Sequence, residues 1–366
     1  MNNFEKVFGY AALKILKGFV LEKDINPSEI DHSSVKNILL VVRHQMGDML
    51  CTLPMMRSIR NFYPDSHIIL VTKKSTSFEK IFKDNNSPVN EVKYYENGFE
   101  NFINLVKELR DKRIDLSITP STVSFSATNH LIAYYSKARY RAGVRSKDYE
   151  LNRIGYTLNI KNDFLWELNK VHQIERNLDI IRQLSITPFE KTISLSLYEE
   201  NLEFAGKFFR SNFPDKNRIV IGFHPGAGKE HNIWPAEKFA ELAVMLKERL
   251  NPYFFISEGP SDFKYTSGLE EFLNKQNGLE YTKLRGELAD TMAILARLNL
   301  FITNDTGIMH VCSGFQTPVI ALFGPTNASE WGVIGSNKVS IQSRDENIKN
   351  IDTHTVFETC LRLLSV

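Results

Sequence analysis

The sequence predicts an α/β fold in which two doubly wound parallel sheets form two successive domains. Short, almost continuous apolar runs alternate with segments of helical periodicity, a pattern typical of parallel strands covered by helices. The alternation starts near residue 36 and starts again near residue 217. The chain has 366 residues, more than a single hydrophobic core usually organises, which also indicates two domains.

The first domain, predicted over residues 35–195, starts with a buried strand at Ile38–Val42 and a helix from about Asp48. Further strands are predicted in DSHIILVTKK, NEVKYY and RIDLSITP, with the helix FENFINLVKELRDK before the last of them. Strands that alternate with helices of this length indicate right-handed βαβ connections. Two later segments, TPSTVSFSATNH and the basic KARYRAGVRSKDYELNR, are interpreted as surface loops that could contact a substrate.

The second domain, predicted over residues 196–366, starts with an apolar strand that runs into a glycine-rich turn, NRIVIGFHPGAG. The helix PAEKFAELAVMLKERL and the strand YFFISEG follow it. YTKLRGEL, the helix ADTMAILARL, the strands LFITND and PVIALFG and a terminal helix at Thr353–Leu364 complete the domain. Two such domains in tandem predict a cleft between the carboxyl edges of their sheets, where ligands of these folds bind.

Composition excludes several classes of function. The hydrophobic fraction of 42% and the charged fraction of 24% are those of an ordinary soluble protein. A net charge of +2 without a basic block gives no support for a nucleic-acid partner. Three widely spaced cysteines suit a reducing compartment. Because no spanning apolar run and no signal-peptide layout is found, we expect a cytoplasmic protein.

Residues 1–34 are predicted to form an amphipathic helix and a linker ahead of the first domain. Apolar residues recur at helical spacing from Phe4 to Val20, and a polar run continues to Ser34. The helix could pack on the protein's own surface. Alternatively, residues 4–20 could lie in the plane of the cytosolic membrane surface, a peripheral contact that the lysines between the apolar residues would favour.

A polar cluster at the end of the predicted strand LFIT is the first candidate site. It reads NDTGIMH and contains Asp305, Thr306, Gly307 and His310. Gly307 lets the backbone come close to a ligand, and the N–H groups of the helix that begins there favour a phosphate. The alternative is that Asp305 or Thr306 only caps this helix. The two interpretations are compatible, because both use the same N–H groups.

Two further clusters also follow predicted strands. Asp48, in RHQMGDM, lies at a strand-to-helix turn, where a carboxylate could take a proton from a hydroxyl group or could simply cap the helix. In FHPGAGKEHNIWP, Gly226 and Gly228 make the loop flexible, while Lys229 and His231 can supply positive charge. A flexible, cationic loop of this kind is suited to a diphosphate.

Three motifs that would indicate a cofactor or a metal are absent. The chain has no D-x-D for a metal-bound diphosphate, no G-x-x-x-x-G-K-[ST] for a triphosphate and no G-x-G-x-x-G after the first strand. We therefore predict no metal site and no cofactor. A diphosphate held by helix N–H groups and side-chain cations remains as the predicted ligand.

Three blocks of the sequence together resemble glycosyltransferase family 9, the bacterial heptosyltransferases of the lipopolysaccharide inner core. They are ILLVVRHQMGDMLCTLPMMRSIRNFYPDSHIILVT, IGFHPGAGKEHNIWPAEKFAEL and FITNDTGIMHVCSGFQTPVIALFGPT, and the resemblance covers roughly residues 36–335. It implies a GT-B fold, with two Rossmann-like domains that face a central cleft. It also implies inverting, metal-independent transfer of a heptose from a nucleotide-diphosphate sugar, typically ADP-heptose, to a lipopolysaccharide or lipooligosaccharide core acceptor at the inner membrane.

The resemblance also implies roles for individual residues. Asp48 matches the acid proposed as general base in the family, and the loop from Gly226 to Trp234 matches the loop of the second domain. The donor-binding block corresponds to Asp305, Thr306, Gly307 and His310. In the implied mechanism Asp48 deprotonates the acceptor hydroxyl, while helix N–H groups and nearby cations stabilise the departing nucleotide diphosphate.

The sequence departs from the family at Asn232. The family commonly has a lysine there, two residues before the tryptophan of the W-P pair, and that lysine contacts the donor phosphate. Lys229 and His231 are the nearest candidates to replace it. A GT-B transferase with another nucleotide sugar therefore remains an alternative. So does a catalytically silent scaffold that binds a nucleotide sugar, although the intact Asp48 and Asp305 speak against it.

Overall fold

The structure is a computed structural model that describes residues 23–82, 87–276 and 278–365. The amphipathic helix predicted at residues 4–20 lies outside the described residues. The described chain forms two compact units, the first ending at Lys191 and the second continuing from Thr192. In addition, the short segment 78–82 belongs to the second unit, although it precedes most of the first unit in sequence.

The first unit is built around one mainly parallel sheet. Its strands are β1 (Asn37–Val41), β2 (His67–Thr72), β3 (Glu91–Tyr94), β4 (Leu116–Ile118), β5 (Tyr140–Lys147), β6 (Glu150–Leu151) and β7 (Ile160–Phe164). The order is β3-β2-β1-β4-β5, and both β6 and β7 pair with β5. All pairs are parallel except the short β5–β6 hairpin. Strand β1 thus lies at the point where the strand order reverses.

Helices cover this sheet and connect its strands. Within the described residues, the first five α-helices are α1 (Met46–Phe62), α2 (Phe78–Ile81), α3 (Phe99–Asp111), α4 (Ala127–Tyr135) and α5 (Gln173–Arg182). Four of them belong to the first unit, whereas α2 is part of the second unit. Leu39, Val41, Ile69 and Val71 of β1 and β2 pack with Leu105 and Leu109 of α3 in a buried core.

The second unit contains a fully parallel sheet of six strands. They are β8 (Val220–His224), β9 (Tyr253–Ser257), β10 (Tyr281–Leu284), β11 (Leu300–Asn304), β12 (Val319–Phe323) and β13 (Lys338–Gln342). The order is β10-β9-β8-β11-β12-β13. Every residue of β8, β9, β11 and β12 is buried, which explains why these strands appear in the sequence as continuous apolar runs.

Seven helices follow in the second part of the chain. They are α6 (Glu199–Asn212), α7 (Ala236–Leu250), α8 (Phe263–Leu273), α9 (Leu288–Leu295), α10 (Gly307–Ser313), α11 (Ala328–Trp331) and α12 (Thr353–Leu364). Helices α7 and α12 pack on one face of the sheet, with Trp234 and Phe239 in the core. The predicted α/β class with two doubly wound parallel sheets is confirmed. No helix of the described residues is long and apolar enough to cross a membrane.

The prediction that the basic segment 137–153 is a surface loop was wrong, because it contains β5 and β6. Two of its basic side chains are buried against backbone carbonyl groups. Arg141 donates to the carbonyl oxygen of Thr157 at 2.8 Å, and Lys147 donates to that of Val123 at 2.8 Å. A long cationic side chain is tolerated in a buried strand when hydrogen bonds satisfy its charged head.

The predicted linker is more ordered than the sequence indicates. Two short 3-10 helices span Pro27–Glu29 and His32–Ser34. The backbone N–H of Ile25 donates to the carbonyl of Asn159 at 2.7 Å, and Nδ1 of His32 lies 2.6 Å from the Tyr63 hydroxyl. The described part of this segment therefore packs on the first unit.

Helix α2 was not predicted, and its packing could not be read from local sequence. Phe78, Ile81 and Phe82 are buried, and α2 packs against α9 of the second unit. Lys80 also forms an ion pair of 2.8 Å with Glu287, the residue before α9. The chain therefore enters the second unit once between β2 and β3, before its main crossing at residue 191.

Candidate functional site

The candidate site of the second unit lies where the strand order reverses. Strand β8 pairs with β9 on one side and with β11 on the other, so the loops that leave β8 and β11 start next to each other. Ligands of doubly wound sheets bind at this point of the carboxyl edge. The loop after β8 contains the glycine-rich segment, and the loop after β11 starts with Asp305.

Asn304, the last residue of β11, fixes the loop that follows β8. Its side chain is fully buried and uses both ends of the amide. The Nδ2 group donates to the carbonyl oxygen of Pro225 at 2.9 Å, and Oδ1 accepts from the backbone N–H of Trp234 at 3.1 Å. A buried amide with both ends satisfied holds its partners firmly. The residues between Pro225 and Trp234 are thereby kept beside Asp305.

Asp305 is the centre of a polar cluster formed by three loops. Nδ2 of Asn232 donates to its carboxylate at 2.8 Å, and the side chain of Thr326 also donates to it. Burial raises the pKa of Asp305, while Thr326, the charge of Lys229, the bond from Asn232 and the charge of His231 act against that rise. The cluster therefore combines a half-buried acid with hydrogen-bond donors, an exposed lysine and an exposed histidine.

Asn232 has one polar atom to which the described residues offer no partner. The side chain is only 5% exposed, and its Oδ1 atom is buried without a hydrogen bond in the described part of the chain. The bond from its Nδ2 to Asp305 fixes the amide orientation, because the reverse orientation would place two oxygens together. Such orphaned acceptors are rare in folded proteins, and a catalytic role or a bound partner is among the explanations for one.

Helix α10 starts at the same edge. Thr306 occupies its N-cap position with an extended backbone, φ −156° and ψ 166°, and its side chain makes no capping hydrogen bond. Thr306 is therefore the N-cap residue weighed from the sequence, but its side chain does not supply the capping bond. Gly307 is the first helical residue, and His310 lies one turn further on with a buried side chain.

The first unit contains the other predicted site residue, Asp48. It is the third residue of α1, and its Oδ2 atom accepts from the backbone N–H of Gln45 at 3.1 Å, in a reciprocal capping box. The capping role weighed from the sequence is thus present. It does not exclude proton transfer, because a carboxylate has several acceptor positions. Asp48 is half-buried.

The two basic residues before Asp48 have different environments. Arg43 is buried and donates to the carbonyl oxygens of Tyr95 and Glu96, each at 3.0 Å, so its guanidinium fixes the end of β3. Burial lowers the pKa of His44, and the carboxylate of Asp48 only partly opposes this effect. Of these two, His44 is the neighbour whose protonation interacts with the acid.

Sequence reasoning missed two residues of the second-unit cluster, Asn304 and Thr326. Both lie in the block FITNDTGIMHVCSGFQTPVIALFGPT, but no role was predicted for either. An amide at the end of an otherwise apolar strand was the available signal for Asn304, because a buried polar side chain needs partners. No group of three or more His, Cys, Asp or Glu side chains that could hold a metal ion occurs in residues 23–82, 87–276 and 278–365.

Comparison with known proteins identifies similar chains. Residues 102–360 match the family model described as glycosyltransferase family 9 (heptosyltransferase). Lipopolysaccharide heptosyltransferase 3 of Escherichia coli strain K12 is 25% identical over 296 residues, which cover 78% of this chain and 81% of that protein.

Two solved structures share the fold. The glycosyl transferase family 9 protein of Veillonella parvula has a TM-score of 0.74 at 20% identity, over 90% of this chain and 97% of that one. The E. coli ADP-heptose lipopolysaccharide heptosyltransferase II has a TM-score of 0.70 at 21% identity, over 90% and 98% of the two chains. These likenesses confirm the expected GT-B class of fold.

Proposed function

This chain belongs to glycosyltransferase family 9, the heptosyltransferase family, and on that premise we propose that it transfers a heptose from ADP-heptose to a lipopolysaccharide or lipooligosaccharide core. The relatives support the choice of substrates. One is named a lipopolysaccharide heptosyltransferase, and one similar structure is that of an ADP-heptose lipopolysaccharide heptosyltransferase. The observation that carries the proposal is the cluster of Lys229, His231 and Asn232 around Asp305.

The proposed donor site uses the charges of that cluster. Lys229 and His231 are exposed and lie near the carboxylate of Asp305, so they are free to meet a diphosphate that arrives from solvent. In this proposal the backbone N–H groups of Thr306 and Gly307 and the side chain of His310 also bind the diphosphate. Asp305 accepts hydrogen bonds from sugar hydroxyl groups. The chain's own cations then neutralise the diphosphate, so the reaction needs no metal ion.

The proposed reaction is a single displacement with inversion at the anomeric carbon. Asp48 takes the proton of the acceptor hydroxyl, whose oxygen forms a bond to the anomeric carbon of the heptose. The bond from that carbon to the diphosphate oxygen breaks, and ADP leaves with the bonding electron pair. Removal of one hydrogen-bond donor aimed at a developing charge typically costs about 10²–10³ in rate, so each cation should matter at about that level.

The acceptor in this proposal is a glycolipid at the inner membrane, and the protein works in the cytoplasm. Peripheral contact through residues 4–20 remains part of the proposal, since apolar residues recur there at helical spacing between lysines. Contact of this segment with the membrane would then also bring the protein to its glycolipid acceptor.

Binding of a donor panel tests this function. Calorimetry should compare ADP-heptose with ADP, UDP-sugars and GDP-sugars, in the presence of a chelator. We expect ADP-heptose to bind best, the chelator to have no effect, and Asp305→Ala to lose binding. Lys216→Ala, an exposed charge before β8 and so at the opposite edge of the sheet, is the matched control and should bind normally.

One observation favours a second candidate, transfer from another nucleotide sugar. Asn232 occupies the position of the family's phosphate-binding lysine and contacts Asp305. If a UDP- or GDP-sugar binds best in the same experiment, the protein belongs to another donor class. If the folded protein binds none of them, the transferase proposal fails.

A further inference from the structure

A second buried cluster lies beneath the glycine-rich loop, apart from the cluster around Asp305. It is formed by His224 at the end of β8, Ser257 at the end of β9 and Asp262 just before α8. Nδ1 of His224 lies 2.9 Å from the Ser257 hydroxyl, and Nε2 lies 3.4 Å from the carboxylate of Asp262. All three residues are at most 9% exposed.

Burial determines the charge of the imidazole in this cluster. Burial lowers the pKa of His224 despite the attraction of Asp262, so the imidazole is neutral at physiological pH. Nδ1 faces both the hydroxyl and the backbone carbonyl oxygen of Ser257, the latter at 3.1 Å, while Nε2 faces the carboxylate of Asp262. The set of residues is that of a hydrolytic triad, but the imidazole is reversed and Ser257 is only 2% exposed. The arrangement therefore orients Asp262 and does not create a nucleophile.

The carboxylate of Asp262 packs directly against two glycines. It accepts from the backbone N–H of Gly259 at 2.8 Å. A Cβ atom added at Gly226 would overlap the carboxylate, and one added at Gly259 would come within 2.5 Å of it. Only glycine at position 226 lets the acid come this close, which explains the glycine here as a matter of space.

The glycine-rich loop is consequently held from two sides. Asn304 of β11 bonds to the carbonyl groups of Pro225 and Gly226, while Asp262 closes the other side of Gly226. The segment held in this way leads directly to Lys229 and the residues up to Asn232. Glycine-containing loops lose much conformational entropy on ordering, so a fixed start of the loop lowers that cost when a ligand binds.

We infer that Asp262, oriented by His224, is a positioning residue that preorganises the loop at Gly226 for the donor diphosphate. The inference rests on the proposed function, since it takes this loop as part of the donor site. Asp262 itself does not touch the donor. Its substitution should therefore weaken donor binding and leave the acceptor and the chemical step unchanged.

The experiment combines single and double substitutions. Asp262→Ala, Gly226→Ala and the double variant are compared by the KM for ADP-heptose, the KM for the acceptor, kcat and the Kd of ADP. We expect each single variant to raise the donor KM and the Kd of ADP about tenfold, with kcat and acceptor KM within about twofold. Asp215→Ala, an exposed acid ahead of β8, is the control and should behave as wild type.

The double variant distinguishes positioning from general damage. Removing the carboxylate relieves the two tightest contacts of a Cβ atom at position 226, those with its Oδ1 and Cγ atoms, and leaves only the 2.9 Å contact with the Cβ atom of residue 262, so the double variant should be clearly less impaired than the product of the two single defects. Independent defects would instead multiply to about a hundredfold. If Asp262→Ala does not fold, Asp262→Asn keeps the acceptor for Gly259 and should show an intermediate rise in donor KM.

Two results would overturn the inference. If wild type binds ADP and Asp262→Ala or Asp262→Asn binds it equally well, the positioning role is wrong and the proposed function stands. The same conclusion follows if the defects of the double variant multiply. If folded wild type binds no nucleotide at all, the donor site itself is wrong, and the inference fails together with the proposed function.

Discussion

The side-chain amide of Asn232 donates a hydrogen bond of 2.8 Å to the carboxylate of Asp305. This bond joins the loop after β8 to the loop after β11, at the point where the strand order of the second unit reverses. Asn232, which stands where the family resemblance leads us to expect a lysine, is therefore the direct partner of the central acid of the cluster. Substitutions at this pair and at its neighbours test the proposed donor site.

Substitution of Asn232 should reveal whether the position tolerates negative charge. Asn232→Asp would place a second carboxylate beside Asp305 and repel a diphosphate, whereas Asn232→Ala only removes one hydrogen bond. We expect the Kd of ADP to rise about three- to tenfold for Asn232→Ala, because one hydrogen bond is lost. For Asn232→Asp we expect a Kd at least about tenfold higher than that of Asn232→Ala. Calorimetry measures both, and equal affinities for the two variants would contradict a diphosphate at this position.

Asp305 should lower the stability of the protein without ligand at neutral pH. Burial raises its pKa above the ordinary value of 3.8. At pH values between the pKa of Asp305 in the unfolded state and its higher pKa in the folded state, the folded protein binds more protons than the unfolded protein. The free energy of unfolding therefore falls as pH rises through this window and stays lower above it. Asp305→Asn should therefore melt a few degrees higher than wild type at pH 7.

That gain in melting temperature should become much smaller near pH 3.5, where the wild-type carboxyl group is mostly protonated in both states. Thermal melting at the two pH values, with Lys216→Ala as a reference, measures the difference. A gain that is independent of pH would show that the carboxylate charge is not its cause.

Removal of the charge of Lys229 should weaken nucleotide binding and its dependence on salt. Lys229 is exposed and close enough to Asp305 to lower that residue's pKa. We expect Lys229→Ala to raise the Kd of ADP about tenfold at low salt, with a smaller difference at high salt because exposed charges are screened. Titrations at two salt concentrations measure this effect. A loss of affinity that does not change with salt would argue against a contact of charges.

Asp48 offers a way to separate capping from catalysis. Asparagine at this position retains an oxygen that can accept from Gln45, whereas alanine loses the capping bond seen at 3.1 Å. We expect Asp48→Asn to lower kcat at least a hundredfold and to melt close to wild type, because a general base contributes about 10²–10⁴. Asp48→Ala should lose activity equally and also about 1 kcal/mol of stability. Turnover by Asp48→Asn near the wild-type rate would exclude Asp48 as the base.

His130 should make the first unit sensitive to acid. It is completely buried between the carbonyl of Ser126 and the side-chain amide of Asn152, both at 2.9 Å, and burial lowers its pKa to about 4. The unfolded residue binds its proton near pH 6.5, so stability is complete above that pH and is lost as pH falls toward 4. The loss is on the order of 3 kcal/mol.

Denaturant unfolding between pH 4 and pH 7.5 measures this loss. His130→Gln cannot take up the proton. The slope of its unfolding free energy against pH should therefore be smaller than that of wild type, by an amount that corresponds to at most one bound proton. An unchanged slope would show that another group is responsible.

The sequence predicted the elements whose pattern is local. Strands β8 and β11 are buried on both faces and appear as continuous apolar runs, and the terminal helix has the predicted bounds Thr353–Leu364. The blocks that resemble the family also contain Asp305 and Asn232, which the structure brings together. Local periodicity and the turn residues between the elements were sufficient for this part.

The remaining features depend on contacts between distant segments. Strand β5 was missed because Arg141 and Lys147 interrupt its apolar pattern, and their carbonyl partners lie elsewhere in the chain. Asn304 and Asp262 act on a loop about 80 and 36 residues earlier in the sequence, a relation that no pattern of residues reveals. Pairing of buried polar groups is a property of the folded chain.

Release of ADP from ADP-heptose tests the central claim most directly. The assay contains purified protein and a chelator, with or without a lipopolysaccharide acceptor that lacks the heptose to be added. The account predicts that ADP is released only with the acceptor, that the chelator has no effect, and that Asp48→Asn and Asp305→Ala both abolish the release. Absence of release by folded wild type with heptose-deficient acceptors, or equal release without any acceptor, would contradict it.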